Sequence, residues 1–381
     1  MTIKHLILTG GGPIGFVEYG ALKYLATHNI INYNNIQSIY AISIGAIIGL
    51  LYILKLDWLW VDDFLIKRPW NKLVNISYSS YINILYEKGI ITRAVVVNAL
   101  EPLFLTKNIP LTLTLLEFYN LTKIEFNIYA CNFPELEQKK FNHSTTPNVL
   151  LIDALYVSLA VPLVFAPLII DDCLYLDGGI IQGCPINNCI AEKQCITSEI
   201  LCFINDKSSP IDLSNAYYNK NNKSNNNSNY NNNNNNNNYN NYNNISFFKY
   251  FYLLVNKWFM KLLNIENEII VHIKNSINIA LTRNGTNMSY WYYVLNNDTE
   301  REYLINLGAL QAKKFISNLE YNTTPITINT QVNTQVNTQV VSNLVDNKIL
   351  YLLNMFFKSV SYIFYIYFIV ILFIFYKNIK I

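Results

Sequence analysis

Three short motifs hold the residues with which this chain could do chemistry. Gly10-Gly11-Gly12-Pro13-Ile14-Gly15 follows the apolar run Leu6-Ile7-Leu8. Ser43 stands in Ala41-Ile42-Ser43-Ile44-Gly45, at a second strand-to-helix boundary. Asp177 opens Asp177-Gly178-Gly179, just after Leu174-Tyr175-Leu176. Glycines let a tetrahedral oxyanion approach backbone N–H groups, and the start of a helix adds positive potential there. A serine at a sharp strand–helix turn is presented for attack, provided that small residues stand two before and two after it. Here those residues are Ala41 and Gly45. An aspartate facing the serine can accept its proton. Together these are the parts of an acyl-transfer site: an oxyanion cradle, a nucleophile and a base.

Each motif also has a plainer reading. Gly10, Gly12 and Gly15 match the dinucleotide fingerprint, which needs an acidic residue about 20 positions further on to hold a ribose. No Asp or Glu occurs between Glu18 and Asp57, and the second strand ends instead at Tyr40-Ala41-Ile42. Ser43 suits a helix N-cap, and Asp-Gly-Gly suits a simple turn. The histidines are His5, His28, His143 and His272. In the order Ser…Asp…His only His272 qualifies, beyond a long Asn tract. The alternative is a dyad in which Asp177 takes the proton directly. An ordinary aspartate titrates at about 3.9 and is a weak base, so burial and a good hydrogen bond must compensate.

The elements that must position these residues follow from apolar periodicity. Strands are expected at 5–9, 36–42, 124–130, 174–176 and 200–204. Helices are expected at 16–26, 44–54 and 152–161, with a Trp- and Tyr-rich helical stretch over 56–105 placed to form a cap. Strands alternating with apolar helices predict an α/β sandwich whose mainly parallel sheet is covered on both faces.

Composition bounds the rest. The chain has 381 residues, with 28 basic and 25 acidic side chains and a net charge of +3. No basic cluster is present, so nucleic acid is not an expected partner. Mean hydropathy is +0.17, which points to burial or a membrane. Cys131, Cys173, Cys184, Cys189, Cys195 and Cys202 lack paired metal-ligand spacing. They read as reduced thiols of a cytosolic compartment, and no metal or cofactor is expected. The N-terminus shows no signal peptide. Residues 219–244 are mostly Asn, a composition that cannot build an apolar core. Asn-Thr-Gln-Val repeats over 329–340 read as a spacer. From Ser359 to Tyr376 there is no charged residue; as a helix this segment spans about 27 Å, close to a hydrocarbon core of about 30 Å. The expected organisation is a catalytic domain over 5–205, an Asn-rich linker over 211–245, a mainly helical region over 246–321, a spacer over 322–345 and a transmembrane helix over 359–376. A single C-terminal span would leave the catalytic domain in the cytosol.

Taken together, the motifs resemble the patatin-like phospholipase family: a glycine-rich oxyanion loop, a G-x-S-x-G elbow and a late D-G-A or D-G-G. The intervening text is similar as well, from Gly20-Ala21-Leu22 through Phe126–Phe133 to Asp153-Ala154-Leu155 and Ser158–Phe165. The likeness covers residues 5–205. It implies a patatin-like three-layer α/β/α sandwich and a lipid acyl hydrolase that cleaves fatty-acyl esters of membrane phospholipid. Ser43 would be the nucleophile and Asp177 the base, and Gly11, Gly12 and Ile44 would form the oxyanion hole. Gly10, Gly15, Gly45, Gly178 and Gly179 would be motif glycines. Two departures stand out. Ala41 replaces a glycine of the elbow, and Ile14 stands where the family has Arg or Lys. They motivate an alternative, a catalytically impaired lipid-binding or scaffolding membrane protein. The Asn-heavy composition resembles that of chains from AT-rich genomes, large DNA viruses among them.

Overall fold

The computed structural model describes residues 2–73, 84, 86–194, 197–205, 245, 247, 250–251, 253–254, 273–281 and 288–321. In chain order, β1 (His5–Leu8) leads through the glycine turn into α1 (Ile14–Thr27), and β2 (Ser38–Ile42) leads through Ser43 into α2 (Ile44–Ile53). There follow α3 (Trp58–Ile66), α4 (Trp70–Leu73), β3 (Gly89–Ile91), α5 (Arg93–Thr106) and α6 (Leu115–Thr122). Next come β4 (Glu125–Phe133), β5 (Gln138–Phe141), α7 (Leu151–Leu159), β6 (Leu163–Phe165), β7 (Leu168–Ile170), β8 (Cys173–Asp177), α8 (Ile186–Lys193) and β9 (Ile200–Asn205). The last described elements are β10 (Ser276–Ile279), α9 (Met288–Asn296) and α10 (Asp298–Tyr321).

The main sheet runs β10-β9-β1-β2-β4-β8-β7, with β5 also paired to β4. Pairing is parallel from β10 through β4 and antiparallel for β5, β8 and β7. Alternate residues enter opposite cores. Leu6, Leu8, Ile39, Ala41, Ile128 and Ala130 join Val17 of α1, Leu50 of α2, Leu155 of α7 and Leu304 of α10. Ile7, Tyr40, Ile42 and Tyr129 join Ile186 and Cys189 of α8. Both faces are therefore dry, which is why these strands read as unbroken apolar runs in the sequence. The result is a mixed α/β fold with helices on both sides of a central sheet.

Register on β4 brings the chemistry together. β2 pairs with residues 125–129 of β4, β5 with 128–131 and β8 with 130–133. A strand has two hydrogen-bonding edges. Because β5 overlaps both of the others, β2 and β8 must share the opposite edge, end to end. Ile42 is partnered by Tyr129, and Asp177 by the next residue, Ala130. Ser43, one residue beyond Ile42, is thus delivered to the end of β8. On the other side Leu8 is level with Ala41 in parallel β1, so the glycine turn and Ser43 leave the sheet at the same edge, the usual ligand edge of such sheets.

The region over 246–321 carries α9 and α10, and it also supplies a strand that the sequence reading did not include. β10 extends the sheet beside β9. Ile277 and Ile279 are buried in alternation with Ser276 and Asn278, a strand period within only four residues. α10 packs along α1, where Gly20 and Gly308 bring the two backbones into contact. Its described residues thus join the sheet and its helical cover. Apart from Ile245, the Asn-rich linker over 211–245 lies outside the described residues, as do the 322–345 spacer and the 359–376 span. Among the described residues no helix is long and apolar enough to cross a membrane.

Candidate active site

Ser43 has φ 54° and ψ −129°, a region that a non-glycine residue enters at a cost of about 1–3 kcal/mol. Two hydrogen bonds of its own, one of them backed by a third, hold it there. Its N–H donates to Ser158 Oγ at 2.8 Å, and Ser158 Oγ donates to Tyr129 O at 2.7 Å. Its own hydroxyl donates to Asp177 Oδ2 at 2.6 Å. The side chain makes no helix-capping hydrogen bond, so capping does not account for the serine. Ala41 lies inside β2, extended and fully buried. The elbow's strain sits on Ser43 itself, and an alanine at 41 fits without penalty. Gly45 has no such latitude. A Cβ there would lie 2.7 Å from Thr9 O and 2.8 Å from the Leu8 carbonyl carbon. Gly45→Ala is expected to cost about 1–3 kcal/mol by overpacking and to push the glycine turn away from Ser43. Chemical denaturation of both proteins measures the first effect, and fluorophosphonate labelling of Ser43 the second.

Asp177 ends β8 and is tied on every side. Its N–H donates to Ala160 O at 2.9 Å, and its Oδ1 accepts the Gly179 N–H at 2.6 Å. Gly178 passes against Tyr129 O. The residue is 4 % exposed. Burial pushes its carboxyl from 3.8 up to about 6, while the hydrogen bonds from Ser43 and Gly179 pull the other way. No described histidine serves the pair. His5 bonds Ser38 Oγ at 2.7 Å, at the end of β1 away from the glycine turn. His28 stacks on Tyr24 and His143 on Tyr119. His272 lies outside the described residues.

The glycine turn closes the site from β1. A Cβ at Gly10 would be 3.1 Å from Ser43 Cβ. The Gly10 N–H donates to Gly183 O at 3.3 Å, and the Gly10 carbonyl accepts from Asn205 Nδ2 at 3.3 Å. Gly11 and Gly12 take φ 146° and 62°, and their N–H groups enter no hydrogen bond among the described residues. Gly15 packs directly on Ile44, so α1 and α2 begin side by side and both direct first-turn N–H groups at this edge. Ile14 is 1 % exposed and brings no charge to the turn. Among the described residues no group of three or more His, Cys, Asp or Glu is placed to hold a metal.

Three participants were not anticipated from the sequence. Ser158 secures the strained amide of Ser43. Asn205, at the end of β9, reaches Gly10 O and lies against Gly11. The Trp291 ring of α9 packs on Gly12. The only local signal was for Ser158, a small polar residue between Val157 and Leu159 at the end of α7.

A serine at a positive-φ elbow, bonded to a buried aspartate beside a glycine turn, is an arrangement suited to acyl transfer on an α/β sheet. Residues 6–190 match the family model for patatin-like phospholipases, and the chain carries a patatin-like phospholipase domain. It is 25 % identical over 221 residues to "Uncharacterized protein R571" of Acanthamoeba polyphaga mimivirus, covering 58 % of this chain and 67 % of that one. It is 26 % identical over 186 residues to "Probable lipid hydrolase 463L" of Invertebrate iridescent virus 6, covering 48 % of this chain and 62 % of that one. Both relatives are viral, in keeping with the composition. Among solved structures, VipD from Legionella pneumophila aligns with a TM-score of 0.44 and 15 % identity, over 84 % of this chain and 67 % of that one.

Proposed function

We propose that the protein is a lipid acyl hydrolase acting through a Ser43–Asp177 dyad. The observation that carries this reading is the 2.6 Å hydrogen bond from Ser43 Oγ to Asp177 Oδ2 at a strained strand–helix elbow. Asp177 accepts the hydroxyl proton as Oγ attacks the carbonyl carbon of a fatty-acyl ester. The tetrahedral oxyanion is held by the Gly11, Gly12 and Ile44 N–H groups. The proton passes to the leaving alcohol as the ester C–O bond breaks and an acyl-Ser43 ester remains. Water then attacks that ester, giving its proton to Asp177, and fatty acid leaves as Ser43 regains its hydrogen. The test is release of fatty acid from phosphatidylcholine vesicles by the purified full-length protein. No release above the Ser43→Ala background would overturn the reading.

We further propose that residues 359–376 cross a membrane once and hold the catalytic domain on the cytosolic side, next to its substrate. Eighteen uncharged, mostly aliphatic and aromatic residues support this, because their transfer from lipid to water is strongly unfavourable. Deleting 359–381 should release the protein from membranes while turnover of a dispersed short-chain ester persists. Carbonate extraction of cell membranes checks this, and full-length protein that washes off would count against the span.

A further inference from the structure

Glu18 is a carboxyl to which the proposed reaction gives no task. It lies on α1, fully buried. Its Oε1 accepts the Thr9 N–H at 2.8 Å and the Thr9 hydroxyl at 3.5 Å. Its Oε2 has no hydrogen-bond partner among the described residues. Among the described residues the titratable groups facing it are the thiols of Cys184, just before α8, and Cys202, on β9, and no basic side chain acts on it. Burial pushes its carboxyl well above the usual carboxylate range, and the Thr9 bonds oppose this only in part. A buried acid with one oxygen unpaired lowers stability. Packing alone therefore gives no reason for a glutamate here.

Its one strong contact does. Thr9 joins β1 to the glycine turn. Its N–H is held by Glu18, and its carbonyl oxygen abuts Gly45, where a Cβ would come within 2.7 Å. The next residue, Gly10, lies against Ser43. Any movement of Thr9 is thus passed on to the turn and changes its distance from the nucleophile.

We propose that Glu18 is a positioning residue for the oxyanion turn, gripping the Thr9 amide from within the protein and so fixing where the Gly11 and Gly12 N–H groups point. The inference rests on the acyl-transfer reading of Ser43. Burial favours the neutral acid, which supplies an acceptor without placing a negative charge beneath the oxyanion.

Three full-length proteins test this: the parent, Glu18→Gln and Glu18→Leu. Gln keeps an acceptor for Thr9 and does not ionise, whereas Leu offers no acceptor. On a soluble short-chain ester, Glu18→Leu should lose about tenfold or more in kcat, with KM changed by less than about twofold. Amide exchange in the peptide containing Thr9 should accelerate. Glu18→Gln, which keeps the acceptor, should hold kcat within about threefold of the parent's. Parent-like kcat and parent-like Thr9 protection in the Leu variant overturn the proposal. So does a Gln variant whose kcat falls as far as that of the Leu variant. If Glu18→Leu does not fold, kcat and Thr9 exchange in Glu18→Ala, which also offers no acceptor, decide in its place. If the parent hydrolyses no ester, the hydrolase reading falls, and Thr9 exchange alone decides for or against Glu18.

Discussion

Ser43→Ala is expected to lower ester hydrolysis by about 10⁴-fold or more, the loss typical when an enzyme's nucleophile is removed. The variant should fold. Alanine fills the same strained backbone position, and the Ser43 N–H keeps its bond to Ser158 Oγ. What is lost is the hydroxyl bonded to Asp177 Oδ2, which leaves a buried carboxylate oxygen without its donor, at a cost of about 1–3 kcal/mol. Asp177 should answer by holding its proton to higher pH, because one of the two bonds that stabilise its charge is gone. A fluorophosphonate should label the parent at Ser43 and leave the variant untouched. Equal labelling would show that another nucleophile carries the reaction, and equal turnover would remove Ser43 from the mechanism.

The parts of the site that were legible in the sequence are those set by residues next to one another. A glycine run after a strand, a serine between a strand and a small-residue helix, and an Asp-Gly-Gly turn each announce a local backbone shape. Their meeting was not legible from residue types. It depends on β2 and β8 sharing one edge of β4, a register that long-range pairing fixes. Ser158, Asn205 and Trp291 escaped for the same reason. Each reaches the elbow or the turn across the fold, and nothing beside it in the sequence marks its partner. β10 was missed because four residues give too little alternation to stand out from an apolar stretch.

The departure at Ala41 has a local structural basis. The motif asks for glycine where the turn is tight, but here the tight residue is Ser43 and position 41 is ordinary strand. Gly45, at the other end of the motif, does meet backbone that admits no side chain. The half of the elbow that this chain keeps as glycine is the half its packing requires. Ala41 therefore gives no support to an impaired enzyme.

Asp177→Asn should reduce kcat by about 10³-fold or more and at the same time leave the protein at least as stable at neutral pH. The two effects share one cause. In the folded protein Asp177 binds its proton more tightly than in the unfolded chain, with its carboxyl raised from 3.8 to about 6. Its contribution to stability is therefore greatest at low pH. That contribution is lost as pH rises from the unfolded value through about 6, a change on the order of 3 kcal/mol. Asparagine carries no charge to bury. Its oxygen can still accept the Gly179 N–H, and its amide can donate to Ser43 Oγ. Stability of the variant should thus lack the fall that this group gives the parent between about pH 4 and 6. Activity should run the opposite way. Only the ionised carboxylate can take the Ser43 proton, so hydrolysis by the parent should rise as pH passes about 6. Denaturant midpoints and initial rates, measured on both proteins from pH 4 to 8, separate the effects. A parent whose rate is flat across this range, or an asparagine variant that turns over normally, would remove Asp177 as the base. A rate that climbs where stability falls would mark the carboxylate as buried for chemistry at the expense of the fold.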